Sequence, residues 1–411
     1  MTKLRAISLF TGAGGLDLGF EAAGFKTAVA LEIDARCVET LRANRDWPII
    51  DRDIIDVTTG ELLDIGGLAP GEADLLIGGP PCQPFSKSGF WASGEAKRLS
   101  DPRAGTLGAY MRVLEEARPR AFLLENVEGL GFRSKDEGLR LIESELQRIN
   151  TEHGTSYRAS IAVLNAADHG VPQLRRRLFV IGARDGTPFV FPRASHVDPA
   201  TAEPSDKRPR YRTAWDVLHN AGTSDYALTA KGKWAALLPS IPEGQNYLWH
   251  TGRGGGEPLF GWRRRYWSFL LKLAKNQPSW TLQAQPGPAT GPFHWTSRRL
   301  SMREMARIQT FPDTFTVTGS VADAQRQLGN AVPSLLAEVL ARAIASQLFS
   351  HAIAGEPTLA VPPAPPTPPA EPVAKVPRSF LALCGEHEAH PGTGRGYRAS
   401  MRERSDLIAA E

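Results

Sequence analysis

Through the first 184 residues, short apolar runs alternate with amphipathic stretches, the pattern of βαβ units and a parallel sheet. The strand-like runs are RAISLF at 5–10, KTAVALEID at 26–34, ADLLIGGPP at 73–81 and RAFLLENV at 120–127. Between them, LDLGFEAAG at 16–24 and ARCVETLRAN at 35–44 carry helical spacing. Tyr157 to Leu164 and Arg177 to Arg184 read as two further strands, separated by a turn containing His169, Gly170 and Pro172. No internal repeat is visible. The fold class this predicts is α/β, a doubly wound sheet with a smaller, loop-rich module beside it.

The pattern changes from about Phe191 to Ser297, where Pro, Gly, Trp and basic residues accumulate without clear helical or strand periodicity. Ser301 to Gln309 and Pro333 to Leu348 regain helical spacing, so the chain is expected to return there to the first domain. The proline-rich stretch containing VPPAPPTPPAEP predicts a polyproline-type linker that forms no core of its own. The expected divisions are 1–190, 191–297, 298–350, a linker over 351–377 and a polar tail over 378–411.

Composition narrows the class only a little. A net charge of +4 on 48 basic and 44 acidic residues is a weak pointer to a polyanionic partner. Cys37, Cys82 and Cys384 are too few and too scattered for a disulfide framework, and none stands in a CxxC pair, so no metal site is expected. No apolar run long enough for a membrane span occurs, and the N-terminus does not read as a secretion signal.

Chemistry enters with the first loop, Phe10-Thr11-Gly12-Ala13-Gly14-Gly15, between a strand and a helix, where glycines let backbone approach a ligand. Glu32 closes the second strand, 20 positions after Gly12, where a carboxylate can take both hydroxyls of a ribose. Asp53 follows the third strand-like segment and can accept from an adenine amino group. Together these suit an adenosyl ligand. A tight turn with solvated acids at strand ends explains the same residues until the downstream motifs are considered.

Residues Gly78 to Ser86 read GGPPCQPFS directly after an apolar strand, which sets Cys82 at the carboxyl edge of the sheet. A lone cysteine is more often a small buried hydrophobe, but prolines at 80, 81 and 84 argue against burial in a regular element. Glu125 ends another apolar strand, where a carboxylic acid can hold a pyrimidine edge. In Gln173-Leu174-Arg175-Arg176-Arg177, alternate arginines point to one face. A phosphate-binding or merely solvated turn is the blander account of these arginines.

Six blocks now stand in order: FTGAGG at 10–15, PPCQPFS at 80–86, ENV at 125–127, QLRRR at 173–177, RRLSMREMARIQTFP at 298–312 and QLGNAVP at 327–333. In content and order they resemble the DNA cytosine-5 methyltransferase family of the bacterial restriction-modification type. The resemblance spans residues 5 to about 345, with 191–297 and the tail outside the shared pattern. It implies a Rossmann-like S-adenosylmethionine-dependent methyltransferase sheet, and a target recognition domain at 191–297.

The resemblance further implies that Cys82 adds as thiolate to carbon 6 of a flipped-out cytosine, so that carbon 5 takes a methyl group from S-adenosylmethionine. Glu125 is implied to contact N3 and the amino group, and Arg177 the carbonyl oxygen, with Arg175 close by. Phe10, Gly12, Gly14, Gly15, Leu16, Glu32, Ile33, Asp53, Ile54, Pro80, Asn330 and Val332 match cofactor-contacting positions. The segment Phe85 to Leu107 matches the family's mobile loop that closes over DNA. Gln83, Ser86, Ser88 and Arg98 of that region, with Arg263, Arg264 and Arg265 of the module, are the candidate DNA contacts.

Seven of the nine tryptophans fall between Phe191 and Ser297, and most are expected to build the module's core. The implied partner is double-stranded DNA, bound by a monomer in the bacterial cytoplasm, nucleoid-associated and away from any membrane. A cognate restriction endonuclease would be linked functionally but not physically. An orphan or regulatory DNA methyltransferase is an alternative. Two other readings are a transfer RNA cytosine-5 methyltransferase, whose Cys-Phe-Thr signature is absent here, and a non-catalytic DNA-binding regulator.

Overall fold

The computed structural model describes residues 3–81, 105–128, 137–222, 228–260 and 267–384. Eight short strands organise the first half: β1 (Arg5–Leu9), β2 (Lys26–Leu31), β3 (Ile49–Ile50), β4 (Leu75–Gly78), β5 (Ala121–Val127), β6 (Ser160–Asn165), β7 (Gln173–Leu174) and β8 (Arg176–Ala183). All but β7 form one seven-stranded sheet of order β3-β2-β1-β4-β5-β8-β6. β7 instead pairs with β9 (Ser279–Trp280), a two-residue strand of the loop-rich region.

Side-chain alternation along the strands sorts the apolar residues to two faces. Ile7, Leu9, Val29, Leu31, Leu76, Phe122 and Leu124 pack on one side, with the helices Thr59–Gly66, Gly105–Ala117 and Glu137–His153. Ala6, Leu75, Ile77, Leu123, Phe179 and Ile181 pack on the other, against Gly15–Ala22 and Ser334–Phe349. These two helices lie so close that a Cβ at Gly19 would stand 2.4 Å from that of Ala337. The helix Ser334–Phe349 thus packs directly on the first helix of the sheet domain. Both faces of the sheet are covered, as a doubly wound fold requires.

The expected parallel sheet holds from β3 through β5, but β8 runs antiparallel to both β5 and β6. Strand composition carries no signal of direction, and the short link from β6 to β8 permits a reversal that a crossover helix would not. The consequence is functional. Reversal brings the beginning of β8, not its end, to the edge where β5 finishes, in the register Val127 to Arg177.

Among the described residues, one stretch, Val321–Phe349, is long and apolar enough to cross a membrane by length and composition. It is two helices, Val321–Asn330 and Ser334–Phe349, separated around Pro333, and most of its apolar window is buried inside the fold.

Between Phe191 and Ser297 regular structure is sparse, as expected: one helical turn and a half at Ala214–Leu218, 3-10 turns at Ala235–Ser240 and Tyr247–His250, and β9. Its apolar residues divide between two cores. Ala214, Leu218, Leu273, Leu282 and Trp295 join the helices Met302–Ile308 and Val321–Asn330 in a bridging core. Leu237, Tyr247, Phe260, Phe269 and Phe293 form a separate, distal one. Trp215, Trp234, Trp249 and Trp295 pack in or against these cores, whereas Trp267 is 52% exposed, edge-on to Trp280. Val376 of the proline-rich segment packs against the distal core, and Phe380, just beyond that segment, is part of it.

Candidate active site

The sheet order reverses between β1 and β4, and the loops leaving their carboxyl ends open a crevice of the kind that binds ligands in such folds. On the β1 side, Phe10 at φ 53° and Gly12 at φ 57° turn the chain back on itself. A Cβ at Gly12 would meet nothing within 4 Å, so the backbone there faces open space. Gly15 differs, because a Cβ would stand 2.2 Å from the carbonyl oxygen of Val332. One glycine leaves room, and the other allows two segments to touch. Gly14 (φ 80°) begins the helix, whose Leu16 is buried.

Beneath this loop lies a buried polar cluster. Ser8 Oγ donates to Asp17 Oδ2 at 3.1 Å, Thr27 Oγ1 donates to Asp17 Oδ1 at 3.2 Å, and the Ser8 and Thr11 hydroxyls lie 3.0 Å apart. Burial outweighs these donors and pushes the Asp17 carboxyl up to about 7.

Glu32 follows β2 and is buried. Its two oxygens accept from the backbone N–H of Gly12 at 2.6 Å and of Asp34 at 2.7 Å, while burial pushes its carboxyl up. Each oxygen retains acceptor capacity for a hydroxyl. Next to it Ile33 is 62% exposed, an apolar side chain held open to solvent. Asp53 follows the two-residue β3 and caps a 3-10 turn by accepting from Ile55 N. Ile54 itself is buried in the sheet core, so only its backbone is offered to a ligand. Pro80 is buried, as is Val332, while Asn330 is exposed at a helix end. A glycine facing open space, an exposed isoleucine and a carboxylate with spare lone pairs fit an adenosyl group.

On the β4 side the chain leaves the sheet through Gly78, Gly79, Pro80 and Pro81. Asn126 Nδ2 donates to the Pro80 carbonyl at 3.1 Å and ties this exit to β5. Gly79 lies against Glu125, where an added Cβ would stand 2.8 Å from Oε2. The register pairs Glu125 with Phe179 and Val127 with Arg177, so Glu125 and Arg177 are diagonal neighbours on one face. Arg177 Nε meets Glu125 Oε1 at 3.0 Å. Burial pushes the Glu125 carboxyl up, and Arg177 and Arg175 pull it back only in part. Burial thus favours the protonated form of a carboxyl placed where it can donate to a ring nitrogen.

Arg175 does not share that position. Its guanidinium is fully buried and donates to the backbone carbonyls of Gly329 at 2.8 Å and Leu282 at 3.4 Å, joining the loop-rich region to the last block. Arg175 stands between β7 and β8, one residue before the strand that carries Arg177. Its charge still reaches Glu125.

Cys82, Gln83, Ser86, Ser88, Arg98, Arg263, Arg264 and Arg265 lie outside the described residues. Of the other cysteines, Cys37 is buried and its thiol pushed up by that burial, whereas Cys384 is exposed.

Sequence reasoning passed over Gly79, Asn126 and two buried glutamines. Gln173 Nε2 donates to Gln309 Oε1 at 3.0 Å, and Gln309 Nε2 donates to the carbonyls of Leu328 and Ala331. This chain links three of the six blocks. The available signal was an amide within an otherwise apolar or basic block, which a buried amide keeps only by pairing.

The sequence profile of the C-5 cytosine-specific DNA methylase family matches residues 4–346. The chain belongs to this family. It is a DNA cytosine-5 methyltransferase, an enzyme whose substrate is double-stranded DNA and whose methyl donor is S-adenosylmethionine. It is 42% identical over 375 residues to the Type II methyltransferase M.SacI of Streptomyces achromogenes, covering 84% of this chain and 94% of that one. The Type II methyltransferase M.FnuDI of Fusobacterium nucleatum is 33% identical over 371 residues, with coverage of 84% and 95%. The Entamoeba histolytica methyltransferase EhMeth superposes with a TM-score of 0.57 at 16% identity, covering 85% of this chain and 99% of that structure, and shares its fold.

Proposed function

We propose that this methyltransferase is the modification enzyme of a restriction-modification system, acting on a specific duplex sequence through a covalent bond from Cys82 to a flipped-out cytosine. The observation that carries this reading is the buried Glu125–Arg177 pair at the carboxyl edge of β5, beside the tethered exit that leads into Cys82. Attack on carbon 6 comes from above the ring, a face that stacking blocks in a duplex, so the base leaves the helix first.

The Cys82 thiolate then forms a bond to carbon 6 while Glu125 gives its proton to N3, which keeps negative charge from building on the ring. Arg177 donates to the cytosine carbonyl oxygen and holds Glu125 in place. Transfer of the carbon 5 proton to water, with return of the N3 proton to Glu125 and cleavage of the sulfur–carbon bond, restores the aromatic ring and frees the thiolate. S-adenosylmethionine supplies the methyl group that carbon 5 takes. Glu32 would hold its ribose hydroxyls, Ile33 and the Ile54 backbone its adenine edge with Asp53, and the Gly12 turn its amino-acid end, with Phe10, Leu16, Pro80, Asn330 and Val332 lining the rest.

Residues 191–297 serve as the DNA-reading module, with Arg263, Arg264 and Arg265 among its contacts and Gln83, Ser86, Ser88 and Arg98 contributed by the loop after Cys82. The enzyme acts as a monomer in the bacterial cytoplasm, on the nucleoid, without stable attachment to its endonuclease. The test is Cys82→Ala: methyl transfer to duplex DNA should vanish while S-adenosylmethionine binding persists. Undiminished transfer defeats the mechanism. Bisulfite sequencing of DNA from a host expressing the enzyme supplies the modified context.

A further inference from the structure

The matched family region ends at residue 346, yet the proline-rich segment beyond it is bound to the rest of the enzyme along its length. Its near end is fastened to the last helix of the catalytic sheet. Arg342 donates to the carbonyls of Ile353 at 3.0 Å and Ala354 at 3.1 Å. The fully buried Glu338 accepts from Thr358 N at 2.7 Å, Thr358 Oγ1 at 2.9 Å and Leu359 N at 2.8 Å. With Arg342 Nη1 also donating to it at 3.3 Å, this buried carboxylate has four donors and is an anchor, not an incidental contact.

The middle is fastened to the bridging core. Ala364 N donates to Asp216 Oδ1 at 3.0 Å, and Trp215 Nε1 donates to the Pro365 carbonyl at 3.0 Å. Lys275 Nζ, itself 3% exposed, donates to Glu371 at 2.9 Å, to the Pro369 carbonyl at 3.1 Å and to Glu243 at 2.7 Å. The far end enters the distal core: Ala374 N donates to the Pro239 carbonyl at 2.9 Å, and Phe380 stacks on Trp234 with ring centres 5.7 Å apart. Proline fixes φ and lacks an N–H, so a run of prolines stays extended and stiff while its carbonyls remain free to accept.

We propose that residues 351–384 form a brace that sets the orientation of the recognition module relative to the cytosine site, with Phe380 and Lys275 as positioning residues. The geometry that argues for this is a rigid segment with one end on the catalytic helix and the other in the distal core, passing over the layer between them. A module held at a fixed angle spends less binding free energy on ordering when DNA arrives, so the brace acts on DNA affinity and not on the chemical step. The inference rests on the reading of residues 191–297 as the part that recognises DNA.

Two full-length variants test it: Phe380→Ala, which removes the far anchor, and a chain with Pro363, Pro365, Pro366 and Pro368 replaced by glycine, which keeps both anchors but removes stiffness. For each, KM for the cognate duplex, kcat at saturating DNA, S-adenosylmethionine affinity and small-angle X-ray scattering are measured. The brace predicts KM raised about 10-fold, kcat and cofactor affinity unchanged, and a larger radius of gyration. Unchanged KM with unchanged scattering in both variants overturns it, as does a parallel fall in kcat and cofactor affinity, which marks a general stabiliser. A larger radius with unchanged KM supports the brace and instead overturns the reading of the module as the part that recognises DNA.

Discussion

In the sheet, strand alternation sends Ile7, Leu76 and Phe122 to one face and Ala6, Leu75 and Leu123 to the other, and every strand end falls at a defined edge. In the distal part of the loop-rich region over 191–297 no repeating element does this sorting. Its core is aromatic, with Phe269 meeting Trp234, Tyr247 and Phe260 at ring distances of 5.7–5.9 Å and steep angles. Buried charge is used differently as well. The sheet buries Glu125 beside Arg177, where it faces the crevice, whereas the module buries Lys272, whose ammonium donates to the Ile241 carbonyl at 2.8 Å and is pulled down to about 8 by burial. A hydrogen-bonded sheet fixes reacting groups in register, and a ring cluster holds irregular loops whose surface residues are free to differ.

The comparison breaks most severely if the sheet edge is altered. Glu125→Gln keeps the shape but cannot supply the proton, and kcat should fall by about 10²–10⁴-fold, the usual worth of a general acid, with S-adenosylmethionine affinity retained. Single-turnover methyl transfer measures this, and a loss confined to KM would remove Glu125 from the chemistry.

Phe269→Ala strikes the other region. Phe269 is 4% exposed, and its removal should cost the module about 3–5 kcal/mol of packing. Specific DNA binding should be lost while cofactor binding survives, read by titrating each ligand separately. Simultaneous loss of both would show that the two regions do not fold as distinct cores.

The smallest effect is a pH dependence beneath the Gly12 loop. Because burial raises the Asp17 carboxyl from 3.8 to about 7, its contribution to stability is fully present below pH 4 and is lost as pH rises through 7. Asp17→Asn removes that loss, so the variant should be the more stable of the two above pH 7, by at most on the order of 4 kcal/mol. Denaturant melts at pH 5 and pH 8 decide it, and an equal difference at both would place the ionisation elsewhere.

Much of this was legible in the sequence. The apolar runs and helical spacings marked β1, β2, β4 and β5 and the helices around 16–24 and 35–44, because burial on both faces leaves a continuous apolar signal, whereas Thr59–Gly66 and Gly105–Ala117 went unread. The blocks around Gly12, Glu32, Pro80, Glu125 and Arg177 come together at one edge because each ends or begins a strand. Less legible was the reversal of β8, since strand direction depends on connections and not on composition. The carbonyl partners of Arg175, on Gly329 and Leu282, were not legible because they lie more than 100 positions away in sequence. The proline-rich segment read as a linker because its partners, Glu338, Asp216 and Lys275, are distant in sequence, and a lone Phe380 in a polar tail is a faint signal.

The most direct measurement uses a duplex carrying 5-fluorocytosine at the target position, incubated with the enzyme and S-adenosylmethionine. Fluorine at carbon 5 cannot leave as a proton does, so the sulfur–carbon bond should persist. Mass spectrometry should find one DNA strand attached to the peptide containing Cys82, and none when the donor is omitted. Efficient methylation of ordinary cytosine by an enzyme that is never trapped at Cys82 would contradict the account.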